Sequence, residues 1–303
     1  MRVGVIGICG FGRFHAEAFA ELGWTVAAGA DRSPELASVA ARFGAEPHRD
    51  YRDLLARGDL DAVTVSLPPR LHPAVVTASL EAGLPVLCEK PVAPSAAEAG
   101  ALLAAVGADA PVAVGFVLRY HPAYRRLREL VRGGELGRVR AVLARKCWPT
   151  STPWRLEEGG GAVFVKDIHY FDLVPWLLGS DPEGVCAYGG SFYHRGQVED
   201  SYQLLMSFPG GATFHLDSAW WTLPSSVNSF EVVGDRARAV VEGDDLRVEG
   251  EVARTERPEG ESMVLAEVRA FADWLAGGGP RPPGLEEAVR ASRLAQRVVD
   301  QLR

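Results

Sequence analysis

Lysine is almost missing from this 303-residue chain: Lys90, Lys146 and Lys166 are the only ones, and the rest of its 32 basic residues are arginine. A retained lysine therefore either marks a place that needs a compact ammonium near a reacting atom, or is left over from composition drift. Cysteine is sparse as well. Cys9, Cys88, Cys147 and Cys186 lie far apart, and no pair has the spacing of a zinc site or a CxxC redox motif, which reads as free thiols in a reducing cytoplasm. No group of histidines and acids has metal-ligand spacing, so no metal is expected. There is no run of about 18 apolar residues and no signal-peptide pattern, so neither a membrane span nor a cleaved leader is expected. No basic cluster occurs and the net charge is -7, which disfavours a nucleic-acid partner.

The composition that remains, 47% hydrophobic and 23% charged, is that of a folded globular protein rather than a disordered one. The length predicts two domains. Short apolar runs at 3–8, 25–30, 62–66, 85–88 and 112–116 alternate with helical patterns, the signature of a parallel sheet with crossover helices. Ser33-Pro34 reads as a helix start, Ser95 with Glu98 as a capping box, and Asp50 with Asp53 as a weaker one. Beyond Tyr120 the rhythm changes. Helices are predicted at 122–132, 162–178, 262–276 and 284–302, and strands at 138–146, 185–193, 202–208, 212–220, 229–233 and 239–242. Consecutive strands without helices between them imply an antiparallel or mixed sheet. The fold class is therefore α/β: a doubly wound Rossmann domain over 1–118, then an α+β domain over 119–303 with an open, largely antiparallel sheet, whose last helix is allowed to pack back on the first domain.

Gly7-Ile8-Cys9-Gly10-Phe11-Gly12 follows the first strand and opens a helix, the context a dinucleotide fingerprint requires. Helix N–H groups would face a diphosphate. Cys9 occupies the place of the middle glycine. Asp31 ends the second strand, where a carboxylate accepts from the adenosine ribose and favours NAD. Arg32 beside it either pairs with a 2′-phosphate, which keeps NADP open, or is solvated surface.

The motifs that follow resemble, in order, the glucose–fructose oxidoreductase, inositol dehydrogenase and MocA family. Gly12-Arg13-Phe14-His15 resembles its Gly-x-x-His, Pro68-Pro69-Arg70-Leu71-His72 its Pro-x-x-x-His, and Cys88-Glu89-Lys90-Pro91 its EKP signature. Gly115 to Pro122 resembles the start of its second domain, and Gly134-Glu135-Leu136-Gly137 the turn before its first sheet strand. Gly159-Gly160-Gly161 with Ile168-His169-Tyr170-Phe171-Asp172 resembles its GGG…IHxxD helix. The resemblance covers nearly the whole chain. It implies an NAD(P)-dependent dehydrogenase that moves hydride between the nicotinamide and a CH–OH carbon of a sugar, polyol or related small molecule, and a homo-oligomer formed through the second sheet.

The resemblance also assigns roles. Gly7, Cys9, Gly10, Phe11, Gly12, Asp31, Arg32, Pro68, His72, Glu89 and Lys90 would bind the cofactor. Lys90 would stabilise developing alkoxide charge and His169 would take the hydroxyl proton; the nicotinamide would lie near Lys90 and face His169. Arg119, Trp154, Arg155 and Tyr170 are expected near the substrate, with Trp148, Tyr193 and His194 in the same segments. One position departs from the pattern. The family's dehydrogenases carry an aspartate four residues before the histidine, and here it is Val165. In a regular helix Asp167 points elsewhere. Asp172 is the expected partner of His169, or else of an arginine. A non-catalytic dinucleotide sensor of the same fold is the competing class, and a reductase for another carbonyl or double bond a third.

Overall fold

The computed structural model describes residues 1–149, 160–194, 198–251 and 253–302. The chain separates into two compact units, Met1–Val117 with Ser262–Arg290, and Leu118–Glu261 with Ala291–Arg303.

In the first unit six strands and five helices alternate: β1 (Arg2–Ile6), α1 (Gly12–Glu21), β2 (Thr25–Ala30), α2 (Leu36–Ala41), β3 (Glu46–His48), α3 (Tyr51–Leu55), β4 (Ala62–Val65), α4 (His72–Glu81), β5 (Val86–Cys88), α5 (Ala96–Val106) and β6 (Val112–Val114). All pairings are parallel, in the order β3-β2-β1-β4-β5-β6. The strands are apolar without alternation because helices cover both faces, and β4, β5 and β6 are buried at every position. The strand order reverses between β1 and β4, so the carboxyl ends of these strands frame the crevice where such sheets bind ligands.

Three local expectations change. Edge strand β3 carries Glu-Pro-His and gave no apolar signal. Ser33-Pro34 lies before α2 rather than at its cap: Ser33 Oγ accepts from Glu35 N at 3.2 Å and the helix begins at Leu36. Asp50 caps α3 through the Arg52 amide, without Asp53. Ser95 does cap α5, and its hydroxyl donates to Glu98 Oε2 at 2.7 Å.

The second unit contains α6 (Pro122–Arg132), β7 (Val139–Pro149), a π turn over Val163–Asp167, α7 (Ile168–Leu178), β8 (Gly184–Gly190), β9 (Ser201–Ser207), β10 (Thr213–Trp221), β11 (Val227–Gly234), β12 (Arg238–Glu242), β13 (Asp245–Glu249) and β14 (Arg254–Glu256). The eight strands run β14-β13-β12-β11-β7-β10-β9-β8. Among the described residues of this sheet only β7 and β10 pair in parallel. Along β9 the side chains alternate, with Tyr202, Leu204 and Met206 buried and Gln203, Leu205 and Ser207 exposed, as a sheet with one covered face requires. Tyr124 of α6 and Tyr170 of α7 pack against Phe230 of β11 on the covered side. β13 and β14 were not anticipated, because charged residues break their apolar pattern. The predicted helix 162–178 is also corrected: its first part is the π turn.

α8 (Met263–Leu275) and α9 (Leu285–Val299) end the chain. The expected boundary assigned all of 119–303 to the second domain. Instead α8 belongs to the first unit, because Leu265, Val268 and Phe271 complete the core formed by Val3, Val5 and Phe19.

Candidate functional site

The first unit's crevice is built by its backbone. At Gly7, φ is +89° and a Cβ would lie 2.0 Å from the Ser66 carbonyl oxygen; at Gly12 it would lie 2.6 Å from the Gly7 carbonyl oxygen. Only glycine fits these two positions. At Gly10 the nearest atom would be 3.7 Å away, an ordinary contact. Asp31 clamps this turn: Oδ2 accepts from the Cys9 amide at 2.9 Å and Oδ1 from the Ser33 amide at 2.8 Å. A cysteine in the middle-glycine position is therefore accommodated, with its N–H committed to Asp31. Each carboxylate oxygen has further acceptor capacity for a ribose hydroxyl. α1 has no acidic residue in its first turn, which suits a diphosphate at its positive end. Arg32 is exposed and its carbonyl accepts from Arg49 Nη1 at 2.8 Å. The residues present fit a pyridine dinucleotide.

Lys90 follows β5 at the same end of the sheet. Two buried histidines fix its turn. His72 receives the Leu67 N–H on Nε2 at 3.2 Å and faces the Pro91 carbonyl through Nδ1 at 2.8 Å. Nε2 must be bare to accept, so Nδ1 carries the proton and donates. Burial lowers the basicity of this ring. Both nitrogens are thus spent on the backbone, and His72, expected to touch the cofactor, supports the turn instead. On the other side Glu89 Oε2 accepts from the Lys90 amide at 3.2 Å, and Glu89 Oε1 lies 3.3 Å from His15 Nε2. Burial alone would raise the Glu89 carboxyl, but His15, Lys90 and His72 hold it below the usual carboxylate range. Glu89 therefore grips the Lys90 backbone. Glu267 of α8 joins this pocket. His15, Glu89 and Glu267 are the group among the described residues with ligand atoms close enough to hold a metal ion. They come from three distant stretches, so spacing in the sequence gave no sign of them.

In the second unit His169 stands in the first turn of α7, directly after the π turn. Val165 is buried within that turn. The turn is not α-helical, so the regular-helix argument that set Asp167 aside does not apply. Asp167 is nonetheless committed elsewhere: it is buried, and Oδ2 accepts from Tyr202 Oη at 2.8 Å and from the Ser218 hydroxyl. Asp172 takes the second of its two expected partners. Arg119 Nε donates to its Oδ2 at 2.7 Å and Nη2 to its Oδ1 at 2.5 Å, a bidentate pair. Arg119 accordingly anchors Asp172. Tyr170, expected near the substrate, is core: it is 1% exposed and packs on Phe214 and Phe230. Lys146 and Lys166 are buried and interlocked, each ammonium donating to the other residue's carbonyl, at 3.1 and 2.9 Å. Glu199, which the sequence did not flag, accepts from the Val163 amide at 3.1 Å, and burial pushes its carboxyl up to about 7. Trp154, Arg155 and Gly159 lie outside the described residues.

A doubly wound sheet with a glycine cradle and a clamped aspartate defines a dinucleotide-binding protein. Comparison with known proteins sharpens this. Residues 1–116 match the oxidoreductase family with an NAD-binding Rossmann fold, and residues 124–240 match the GFO/IDH/MocA C-terminal domain. The dTDP-3,4-didehydro-2,6-dideoxy-alpha-D-glucose 3-reductase of Streptomyces violaceoruber is 32% identical over 82% of this chain and 77% of its own length. Inositol 2-dehydrogenase 2 of Paenarthrobacter aurescens is 29% identical over 100% of this chain and 96% of its own. A levoglucosan dehydrogenase solved with NADH and levoglucosan shares the fold with a TM-score of 0.89 at 22% identity, covering 99% of this chain and 96% of that one. The chain belongs to the GFO/IDH/MocA oxidoreductase family.

Proposed function

We propose that this protein is an NAD(P)-dependent oxidoreductase acting on the CH–OH or carbonyl carbon of a sugar, polyol or related small molecule. The observation that carries the reading is the Glu89-Lys90-Pro91 turn, pinned by His15 and His72 at the end of the sheet that also holds the glycine cradle. Relatives named for inositol and for a nucleotide-linked didehydro sugar support the substrate class. Gly7, Gly10, Gly12 and Asp31 would hold the dinucleotide, with NAD favoured by the Asp31 carboxylate. Bound there, the nicotinamide supplies a two-electron acceptor or donor of hydride. Lys90 brings its ammonium to the substrate oxygen and stabilises the alkoxide as the proton leaves. His169 takes that proton in oxidation and returns it in reduction. A non-catalytic sensor is the second reading, favoured by Val165 at the place of the family's acid.

The outer face of the eight-stranded sheet supports a homo-oligomer: Leu143 pairs with His215, and His215 with Leu205, in one exposed row across β7, β10 and β9. The free thiols support a reducing compartment such as the cytoplasm. No helix among the described residues is long and apolar enough to cross a membrane.

The test is turnover of NADH or NADPH with a panel of keto-sugars and inosose, followed by nicotinamide absorbance. Lys90→Ala is expected to lower kcat by about 10²–10³ with NADH binding kept, and His169→Ala to flatten the pH profile. Full activity of Lys90→Ala would discard its role, and wild-type binding without turnover of any substrate would leave the sensor.

A further inference from the structure

Glu267 is 2% exposed, and neither of its carboxylate oxygens has a hydrogen-bond partner. Its Oε2 lies 3.8 Å from His15 Nε2, the nitrogen that also faces Glu89 at 3.3 Å. One atom from each of the three groups falls within 4.8 Å of the other two. The far side of the imidazole is taken, because His15 Nδ1 meets Thr64 Oγ1 at 2.7 Å. The pocket is closed on the Glu89 side as well: a Cβ at Gly115 would come within 2.9 Å of Glu89 Oε1.

Two carboxylates cannot both ionise against one imidazole in a buried pocket. Glu89 is the one that accepts a backbone N–H and lies nearer His15, so it carries the charge. We propose that Glu267 is a positioning residue for Lys90: held as the neutral acid, it leaves Glu89 the sole negative charge beside His15, and so fixes the carboxylate that grips the Lys90 amide. This rests on the reading of Lys90 given above. The groups that face Glu267 agree with the assignment. Burial and the charge of Glu89 push its carboxyl well above the usual range, while Lys90 pulls the other way. Among the described residues, His15 from α1, and Glu89 and Lys90 after β5, are the charged or titratable groups around it, with His72 of α4 acting on Glu89 from behind. Ionising Glu267 would set a second negative charge against His15 and weaken the hold of that ring on Glu89.

Glu267→Gln keeps the size and neutrality of the acid and removes its titration. Urea unfolding of the full chain without nucleotide, from pH 5 to 9, compares the two folding constants. Above the ordinary glutamate range the wild-type constant should fall relative to the variant's by up to about tenfold per pH unit, until Glu267 ionises in the folded protein. The link to Lys90 is read by NMR on protein labelled at lysine. Only three lysine signals exist, and Lys90→Arg identifies the one at issue. That signal should show a titration step in the wild type that the Gln variant lacks. A constant ratio of folding constants, or a Lys90 signal that titrates alike in both proteins, would overturn the assignment. So would a stoichiometric divalent metal in the purified protein, since a cation would then occupy the place of the proton. Both differences in a protein that reduces no sugar would keep Glu267 as the group that sets Lys90 and discard only the hydride reading.

Discussion

Two glycines in one turn should respond in opposite ways to the same added methyl. At Gly12 a Cβ would lie 2.6 Å from the Gly7 carbonyl oxygen and 3.1 Å from Val5 Cγ1. Neither neighbour is the free end of a flexible chain: one is backbone of the tight turn, the other a core residue of β1. Gly12→Ala must push α1 away from β1, an overpacking cost of about 1–3 kcal/mol. For a unit of this size that lowers Tm by about 2–12 °C. At Gly10 the closest atom is 3.7 Å away and φ lies outside the left-handed region. Gly10→Ala therefore adds no strain and should stabilise by about 0.4–1 kcal/mol, because it restricts the unfolded chain. The nearest protein atom leaves room for a side chain at position 10, and the proposed reading assigns that room to the diphosphate. NADH affinity should fall tenfold or more, about 1.4 kcal/mol, although the fold is undisturbed. Calorimetric melting and NADH titration of both variants check this. A Gly12→Ala protein that melts with the wild type would refute the packing argument. A Gly10→Ala protein that binds NADH normally would refute the placement of the ligand.

Two further outcomes follow from buried charge. Arg119→Met should destabilise by about 3–5 kcal/mol in urea, since it removes the bidentate donor from Asp172, whose side chain is only 3% exposed; Arg119→Met with Asp172→Asn should recover part of the loss. His72 is neutral in the folded protein and burial lowers its pKa. The unfolded chain therefore binds a proton first as pH falls below about 6.5, and folded stability should drop by up to about 1.4 kcal/mol per pH unit below that point. Unfolding at pH 7 and 5.5 should show a smaller drop for His72→Asn, and an equal drop would remove His72 from the account.

Five of the first unit's six strands were legible because each is a short apolar run closed by a turn residue, and burial on both faces leaves no other pattern; the exposed edge strand β3 has no such run. The glycine turn was legible because close approach of backbone permits few residue types, Asp31 from its place at the end of the second strand, and Lys90 from the Glu-Lys-Pro resemblance. Glu267 was not. It reaches Glu89 and His15 from a helix far along the chain, and nothing near it in sequence shows that its carboxylate points into a core. The π turn was hidden for a different reason. Residues 162–178 have the composition of an α-helix, and the extra residue per turn at Val163–Asp167 comes from tertiary partners: Asp167 is drawn to Tyr202 and Ser218, and the Lys166 carbonyl to the Lys146 ammonium.

A scarce lysine marks either a needed ammonium or composition drift, and the fold divides the three. Lys146 and Lys166 clasp each other's carbonyls between β7 and the π turn, with Lys146 lying 4.6 Å over the ring of Tyr170 and Lys166 5.8 Å over that of Trp220. A guanidinium is too wide and flat to donate in this space and meet the same rings, so lysine is kept there for shape. That clasp holds the segment leading into His169. Lys90 is held differently: its backbone is gripped by Glu89, its successor by His72, and the residue is half-buried at the carboxyl end of the sheet. Two buried histidine networks fix the main chain at Lys90, and the proposed reading uses that fixed stem to carry the ammonium to a substrate oxygen.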